Sequence, residues 1–272
     1  MEPCLIEKLK KMKDFLKGFE SAVLAFSGGV DSATLAAICK ELGIKTLAVT
    51  VVSKHTPSRE IRDAVRIANE IGIDHEILKI DILDPYFTRN DDMRCYFCKK
   101  RILSRLISIA REKGYQAVFE GTNASDLAEH RPGYLAVKEL GVISPWKEFG
   151  MKKDEIREIA RLMGFSFYNK PSLACLASRI PYGIEIDEEK LRMVDEAEEA
   201  VIEIAGVRQV RVRNYDGVAI VEVGEEEIPK MLEKALIVRD KLKEIGFNTV
   251  LLDLDGYRTG KRIFVPRSKQ DF

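Results

Sequence analysis

Six consecutive residues, Ser27-Gly28-Gly29-Val30-Asp31-Ser32, place two glycines, two hydroxyls and a carboxylate directly after an apolar run. Glycines in a turn let backbone N–H groups come close to an anion, and a helix that starts there adds the positive end of its dipole. Ser27 and Ser32 bring hydroxyl donors, and the Asp31 carboxylate suits Mg²⁺ held against phosphate oxygens. The chemistry is that of a nucleotide phosphate site, with an ordinary strand-to-helix turn as the plainer alternative. Neither Gly-x-Gly-x-x-Gly nor Gly-x-x-x-x-Gly-Lys-Ser/Thr occurs, which disfavours dinucleotide binding and β,γ-cleaving P-loop chemistry.

Sulfur forms a second group. Cys95 and Cys98, with two residues between them, lie in the middle of the chain beside Lys99, Lys100 and Arg101, where cations and helix N–H groups favour thiolate over thiol. Cys175 lies far along the chain in Lys170 to Gly183, a stretch of turn-forming residues without periodicity. Three converging thiolates can hold a [4Fe-4S] cluster and leave one iron for an exogenous ligand such as sulfide. A redox pair or an incidental pair is the plainer reading of Cys95 and Cys98. Zinc would need a fourth ligand, and His55, His75 and His130, the only histidines, show no ligand spacing. Cys4 and Cys39 read as structurally silent.

Arg211 and Arg213 form a third group. Two residues apart on a strand, they share one face, and their donor forks suit a phosphate; a solvated face is the alternative. Ser178 and Arg179, on the cysteine loop, complete that pocket.

These groups need elements to carry them. Ala22 to Phe26 and Lys45 to Val52 read as buried parallel strands, followed by strands at 75–80 and 117–120 and a short one at 142–144. Helices are expected at 5–17, 31–42, 97–113 and 152–163. One more follows the capping Thr56-Pro57, with Ile61, Ala64, Val65, Ala68 and Ile71 as its buried stripe. Ser53, at the end of the second strand, falls beside the adenine, and Gly121 to Asp126 follows the fourth strand. Asp126 and Glu129 serve either ribose or a second Mg²⁺, or act as local caps. Pro145-Trp146-Lys147 reads as a rigid turn. The alternation predicts an α/β fold with a Rossmann-like parallel sheet over residues 1–183. A smaller α/β domain over 184–272 follows: a helix capped by Asp187, strands at 207–213 and 217–223 joined around Asn214 to Gly217, a helix at 225–245, and a strand at 249–254.

Composition bounds the partners. Of 272 residues, 44 are Lys or Arg and 44 are Asp or Glu, so a formal net charge of zero gives no general attraction to nucleic acid. No signal-like leader and no run of about 18 apolar residues is found, so a cytoplasmic, membrane-free protein is expected. An odd number of cysteines, five, argues for thiols or metal ligands rather than a disulfide framework.

Ser27 to Ser32 resembles the PP-loop of the adenine nucleotide alpha hydrolase superfamily, whose members cleave ATP between the α and β phosphates. Arg94 to Lys100, Gly121 to Asp126, Arg131-Pro132-Gly133, Pro171 to Gly183 and Leu252 to Gly260 together resemble the LarE family of ATP-dependent sulfur transferases. That resemblance implies ATP as co-substrate with Mg²⁺ at Asp31, and pyridinium-3,5-biscarboxylic acid mononucleotide as acceptor. A carboxylate is adenylated and becomes a thiocarboxylate, on the way to a nickel-pincer nucleotide cofactor. Ser27, Gly28, Gly29, Asp31, Ser32, Ser53, Gly121 and Asp126 are the residues expected around the nucleotide, and the resemblance implies Ser178, Arg211 and Arg213 around the substrate phosphate. One branch of the family sacrifices the sulfur of a single cysteine matching Cys175. The present chain resembles the three-cysteine branch, in which Cys95, Cys98 and Cys175 hold a [4Fe-4S] cluster fed by sulfide or another sulfur donor. A homo-oligomer, commonly a hexamer, is implied as well. The rival readings are tRNA thiolation and a non-enzymatic ATP- or cluster-binding protein. Amide formation of the NAD-synthetase kind is also conceivable, but no glutaminase segment is present to supply ammonia.

Overall fold

The computed structural model describes residues 3–128, 132–171 and 174–258. In chain order these give α1 (Pro3–Leu16), β1 (Ser21–Ala25), α2 (Val30–Glu41), β2 (Lys45–Val52), α3 (Ser58–Ile71), β3 (Asp74–Lys79), α4 (Pro85–Thr88) and α5 (Arg94–Lys113). There follow β4 (Ala117–Phe119), α6 (Gly133–Glu139), α7 (Pro145–Glu148), α8 (Lys153–Leu162), α9 (Glu188–Ala205), β5 (Val210–Tyr215) and β6 (Val218–Val223). The described chain closes with α10 (Ile228–Glu233), α11 (Ala235–Ile245) and β7 (Thr249–Leu252).

The chain divides into two compact units, residues 3–82 with 92–171, and residues 83–91 with 174–258. The expected division at 183/184 thus falls earlier, and a short internal segment joins the second unit. Asn90 explains the grouping: its side-chain amide donates to the carbonyls of Pro181 and Ile184, each at 2.8 Å, and Ile186 N–H donates to Thr88 O at 2.8 Å.

The first unit is an α/β layer built on a four-stranded sheet in the order β3-β2-β1-β4, with every described pair parallel. β1 is apolar on both faces because both are covered. Ala22 and Leu24 pack into a core with residues of α1, α2, α3 and α8, while Val23 joins Leu47 and Val49 against Leu103 and Leu106 of α5. β2 and β3 lie on one side of β1 and β4 on the other, so the order reverses between β1 and β4. A crevice opens at the carboxyl ends of strands at such a switch point, and Ser27 to Ser32 follows β1 there.

Several local expectations shift. α3 begins at Ser58 with Pro57 in the cap position, and its buried face uses Ile67 while Val65 is exposed. The expected strand at 142–144 is a single bridge from Ile143 to Phe119. Pro145-Trp146-Lys147 is the start of a helical turn, α7, which buries Trp146 completely.

The second unit carries the sheet β5-β6-β7, with β5 and β6 antiparallel and β7 parallel to β6. Asp216 and Gly217 both have positive φ, 50° and 92°, so a tight two-residue turn sets the hairpin register and starts the strands later than expected. Asp187 caps α9, accepting from Lys190 N–H at 2.7 Å. The expected helix at 225–245 is broken into a 3₁₀ turn, α10 and α11, with Pro229 in the first turn of α10, where a missing N–H costs nothing.

Candidate active site

In the first unit a cleft of about 380 Å³ opens at the switch point, lined by Ser27, Asp31 and Ser32 after β1, Thr50 on β2, Lys99 on α5 and Gly121 after β4. The turn that begins it is held from within. Ser32 Oγ accepts from Ser27 N–H at 3.2 Å and donates to Gly29 O at 3.2 Å, while Ser27 Oγ accepts from Gly29 N–H at 3.2 Å. No side chain caps α2, so its first N–H groups remain directed at the turn. Gly28 has φ +66°, and a Cβ there would lie 2.7 Å from Ala64 Cα on α3. Only glycine fits both the backbone and the space. Lys170 donates to Gly28 O at 3.1 Å and pairs with Asp63 at 2.8 Å, tying the start of the expected cysteine loop to the glycine turn.

Asp31 is held from three directions. Lys153, at the first turn of α8, pairs with its Oδ2; Asn123 Nδ2 donates to its Oδ1 at 3.3 Å; and the Trp146 indole N–H donates to its backbone carbonyl at 2.9 Å. Burial pushes the Asp31 carboxyl above its ordinary value, with Asp126 adding to the rise, against the opposing pull of Lys153 and Asn123. The two carboxylates of Asp31 and Asp126 both line the cleft, so the donor set is hard oxygen and fits Mg²⁺. Asn123, Trp146 and Lys153 were not expected at the site.

Glu120, just after β4, is another buried carboxylate. Burial raises its pKa, but Lys99 at 2.6 Å, with Ser144 and Thr122, outweighs that and holds it below the ordinary carboxylate value. Lys99 is thereby aimed at the cleft. Ser53 lies between the cleft residues Val51 and Thr56, and its buried hydroxyl has no hydrogen-bond partner among the described residues. Thr50 donates to Phe26 O at 2.8 Å and bonds to His75 at 2.7 Å, which gives His75 a structural place.

α5 starts three residues before the expected 97, so Cys95 as well as Cys98 falls in its first turn and a half, and at i and i+3 they share a helix face. Cys95 is exposed and Cys98 half-buried, and Cys98 Sγ lies 3.7 Å from Nε2 of buried His55. Burial, then the nearby Arg94, lowers the His55 pKa to about 4, so the imidazole is neutral. Soft thiols on one face fit an iron-sulfur centre. Among the described residues no group of three or more His, Cys, Asp and Glu is placed to hold a metal ion. Cys39 is buried and its thiol is pushed up to about 12 by burial, as befits a silent core position. Glu129, His130, Arg131, Thr259 and Gly260 lie outside the described residues.

Cys175 belongs to the second unit, where it opens a 3₁₀ turn, Leu176–Arg179. Arg211 and Arg213 lie beside that turn on β5. Arg213 Nε and Nη2 donate to the two oxygens of Glu222 at 2.7 and 3.0 Å, and its Nη1 reaches Ser178 O at 3.4 Å. Arg211 stacks over Tyr257 at 5.0 Å and donates to Val210 O at 2.7 Å. Arg179 is fully buried against Glu198, with bonds of 2.8 and 3.0 Å. No helix of the described residues is long and apolar enough to cross a membrane.

The NAD synthase family matches residues 6–109, the part of the chain holding the glycine turn and the two close cysteines. An uncharacterized protein of Synechocystis sp. is 38% identical over 94% of this chain and 97% of its own length. The pyridinium-3,5-bisthiocarboxylic acid mononucleotide synthase of Lactiplantibacillus plantarum is 32% identical over 90% of each chain. The tRNA-specific 2-thiouridylase MnmA of Rickettsia massiliae is 28% identical over 55% of this chain and 51% of that protein.

Proposed function

The chain belongs to the LarE family of PP-loop enzymes and is an ATP-dependent sulfur transferase, and we propose that its acceptor is pyridinium-3,5-biscarboxylic acid mononucleotide, converted for nickel-pincer nucleotide synthesis. The observation that carries the reading is the cleft at the β1/β4 switch point, where the glycine turn, Asp31 and Lys99 converge.

In the first half-reaction a substrate carboxylate oxygen bonds to the α phosphorus of ATP and pyrophosphate leaves, giving an acyl-adenylate. Backbone N–H groups of Gly28 and the start of α2 meet the phosphoryl charge, with the Ser27 hydroxyl as a further donor, while Gly29 and Ser32 hold the turn that presents them. Asp31, with Asp126 beside it, would hold Mg²⁺, which when bound neutralises phosphate charge. Lys99, already fixed by Glu120, supplies a cation at the same cleft. Ser53 and Gly121 flank the nucleoside. In the second half-reaction sulfide sulfur bonds to the acyl carbon and AMP leaves with the former carboxylate oxygen. The free carboxylate would have to expel oxide, a far poorer leaving group than AMP.

Cys95, Cys98 and Cys175 would hold a [4Fe-4S] cluster, which when bound supplies an iron able to carry sulfide. Ser178, Arg211 and Arg213 would receive the substrate phosphate: two guanidinium groups whose orientations are already set suit a tetrahedral dianion. Two acid groups on the acceptor require two rounds.

Anaerobic turnover with ATP, Mg²⁺, sulfide and the mononucleotide tests this. The expected result is AMP and pyrophosphate release that depends on the mononucleotide, with product masses in which sulfur replaces oxygen. Release that depends on tRNA instead would overturn the acceptor. For the cluster, reconstitution should give a broad iron-sulfur absorption band that disappears in Cys95→Ala, Cys98→Ala and Cys175→Ala. A band that survives loss of Cys95 and Cys98 rules out the three-thiolate set.

A further inference from the structure

We propose that Arg179 and Glu198 are positioning residues that fix the backbone of Cys175, so that Arg179 serves the sulfur-bearing loop rather than the substrate phosphate. This rests on the reading of Cys175 as a sulfur-handling residue.

The network lies wholly within the second unit. The carbonyl of Cys175 accepts from three donors: Ser178 N–H at 3.0 Å, Ser178 Oγ at 2.8 Å and Arg179 Nη1 at 2.9 Å. The same Nη1 donates to Ala174 O and, at 3.0 Å, to Ser178 Oγ. The opposite edge of the guanidinium grips Glu198 through Nε and Nη2. Glu198 Oε1 also accepts from Val212 N–H at 3.2 Å. β5 is an edge strand, so this N–H has no ladder partner on that side, and the carboxylate satisfies it. One carboxylate therefore joins three pieces: α9, the strand residue between Arg211 and Arg213, and the guanidinium that holds Cys175.

Two physical points separate positioning from simple stability. Nε and Nη2 of Arg179 are taken by Glu198 and Nη1 by the carbonyls of Ala174 and Cys175, so the guanidinium has its donors committed to the loop and to α9 before a phosphate arrives. A buried ion pair can often be replaced by apolar side chains of similar volume with little loss of stability, so the charge of the pair is not by itself what folding demands. What apolar replacements cannot do is donate to the carbonyls of Ala174 and Cys175. The pair thus sets where the residue carrying the sulfur sits relative to Arg211 and Arg213 on β5.

The test uses the full chain in two variants: Arg179→Met/Glu198→Leu, which keeps volume without charge, and Arg179→Lys, which keeps charge without the fork. The first readout is iodoacetamide labelling of Cys175 in the cluster-free protein, mapped by peptide mass with Cys4 as internal reference. Local loosening should speed it by roughly fivefold or more in both variants. The second is the ratio of thiocarboxylate formed to pyrophosphate released, which does not depend on the fraction of active protein. Misplacement of a reacting group predicts a fall of about tenfold or more in that ratio. Unchanged labelling overturns the proposal, as does unfolding of both variants, which would assign the pair to the fold. A raised KM for the mononucleotide with an unchanged ratio returns Arg179 to the phosphate site. Because labelling needs no substrate, it judges the positioning role even if the acceptor proves to be another acid.

Discussion

Lys153 and Asp31, 122 residues apart, form an ion pair at the head of the cleft. It draws the start of α8 onto the first turn of α2, and Trp146 fixes the Asp31 backbone from α7 in the same place. The carboxylate expected to hold Mg²⁺ is thus balanced by a cation of the chain itself.

That balance is incomplete, because burial leaves the Asp31 carboxyl above its ordinary value. A raised carboxyl pKa means that the folded state takes up a proton more readily than the unfolded one. The associated stability is present at acid pH and lost as pH rises through the folded value. Asp31→Asn should therefore melt no lower than the parent at pH 7.5, with any advantage shrinking towards pH 4. Pyrophosphate release should fall by about 100-fold or more. Melting curves at the two pH values check the sign, and a variant that is markedly less stable at pH 7.5 contradicts it.

Glu120 should behave in the opposite way. Its carboxyl lies below the ordinary value in the fold, so its contribution is present above the unfolded value and lost as pH falls through the folded one. Glu120→Gln removes charged hydrogen bonds to Lys99 and Thr122 and should cost about 1–3 kcal/mol at pH 7.5. Urea unfolding should show that deficit narrowing in acid. A deficit that grows in acid would reverse the assignment.

Gly28→Ala tests the glycine turn. A left-handed backbone carrying a Cβ costs about 1–2 kcal/mol before any contact is counted. Here the added carbon also meets the backbone of α3 at 2.7 Å, which a rotamer change cannot relieve. The variant should unfold at lower urea and lose measurable ATP binding by calorimetry, whereas a fully stable, ATP-binding variant would show that the turn can move.

The parts of this site that the sequence displayed are those set by local pattern. β1 and β2 stand out because both of their faces are buried, and the Asp216-Gly217 turn carries its own hairpin signal. The missing parts were made by chain segments meeting across long separations. Lys153 reads as an ordinary first-turn lysine until α8 is laid on α2, and His55 shows no spacing to Cys98 until α5 passes it. Pro145-Trp146-Lys147 reads as a turn and is one, but three residues are too few to show a helical period or that Trp146 points inward. Val65 looked like part of the α3 stripe because it is apolar, yet Ile67 occupies the inward position. The grouping of residues 83–91 with the second unit depends on Asn90 bonds more than 90 residues away, for which nothing nearby in the sequence gives a sign.

Arg213 offers the sharpest test of the phosphate reading. Its Nε and Nη2 are pinned by Glu222, itself fully buried, so the remaining edge of the guanidinium has a fixed direction before any ligand arrives. A lysine at that position keeps the charge, but one ammonium cannot span both Glu222 oxygens and present a second planar donor edge. Arg213→Lys should therefore raise KM for the mononucleotide by about tenfold, the equivalent of one charge-assisted hydrogen bond. KM for ATP should stay the same, since the nucleotide cleft is built from the first unit alone. Glu222→Gln should give a smaller rise in the same parameter, because an amide can accept from only one arm of the fork. If instead KM for ATP rises and that for the acceptor does not, Arg213 belongs to a different task and the substrate phosphate must be sought elsewhere.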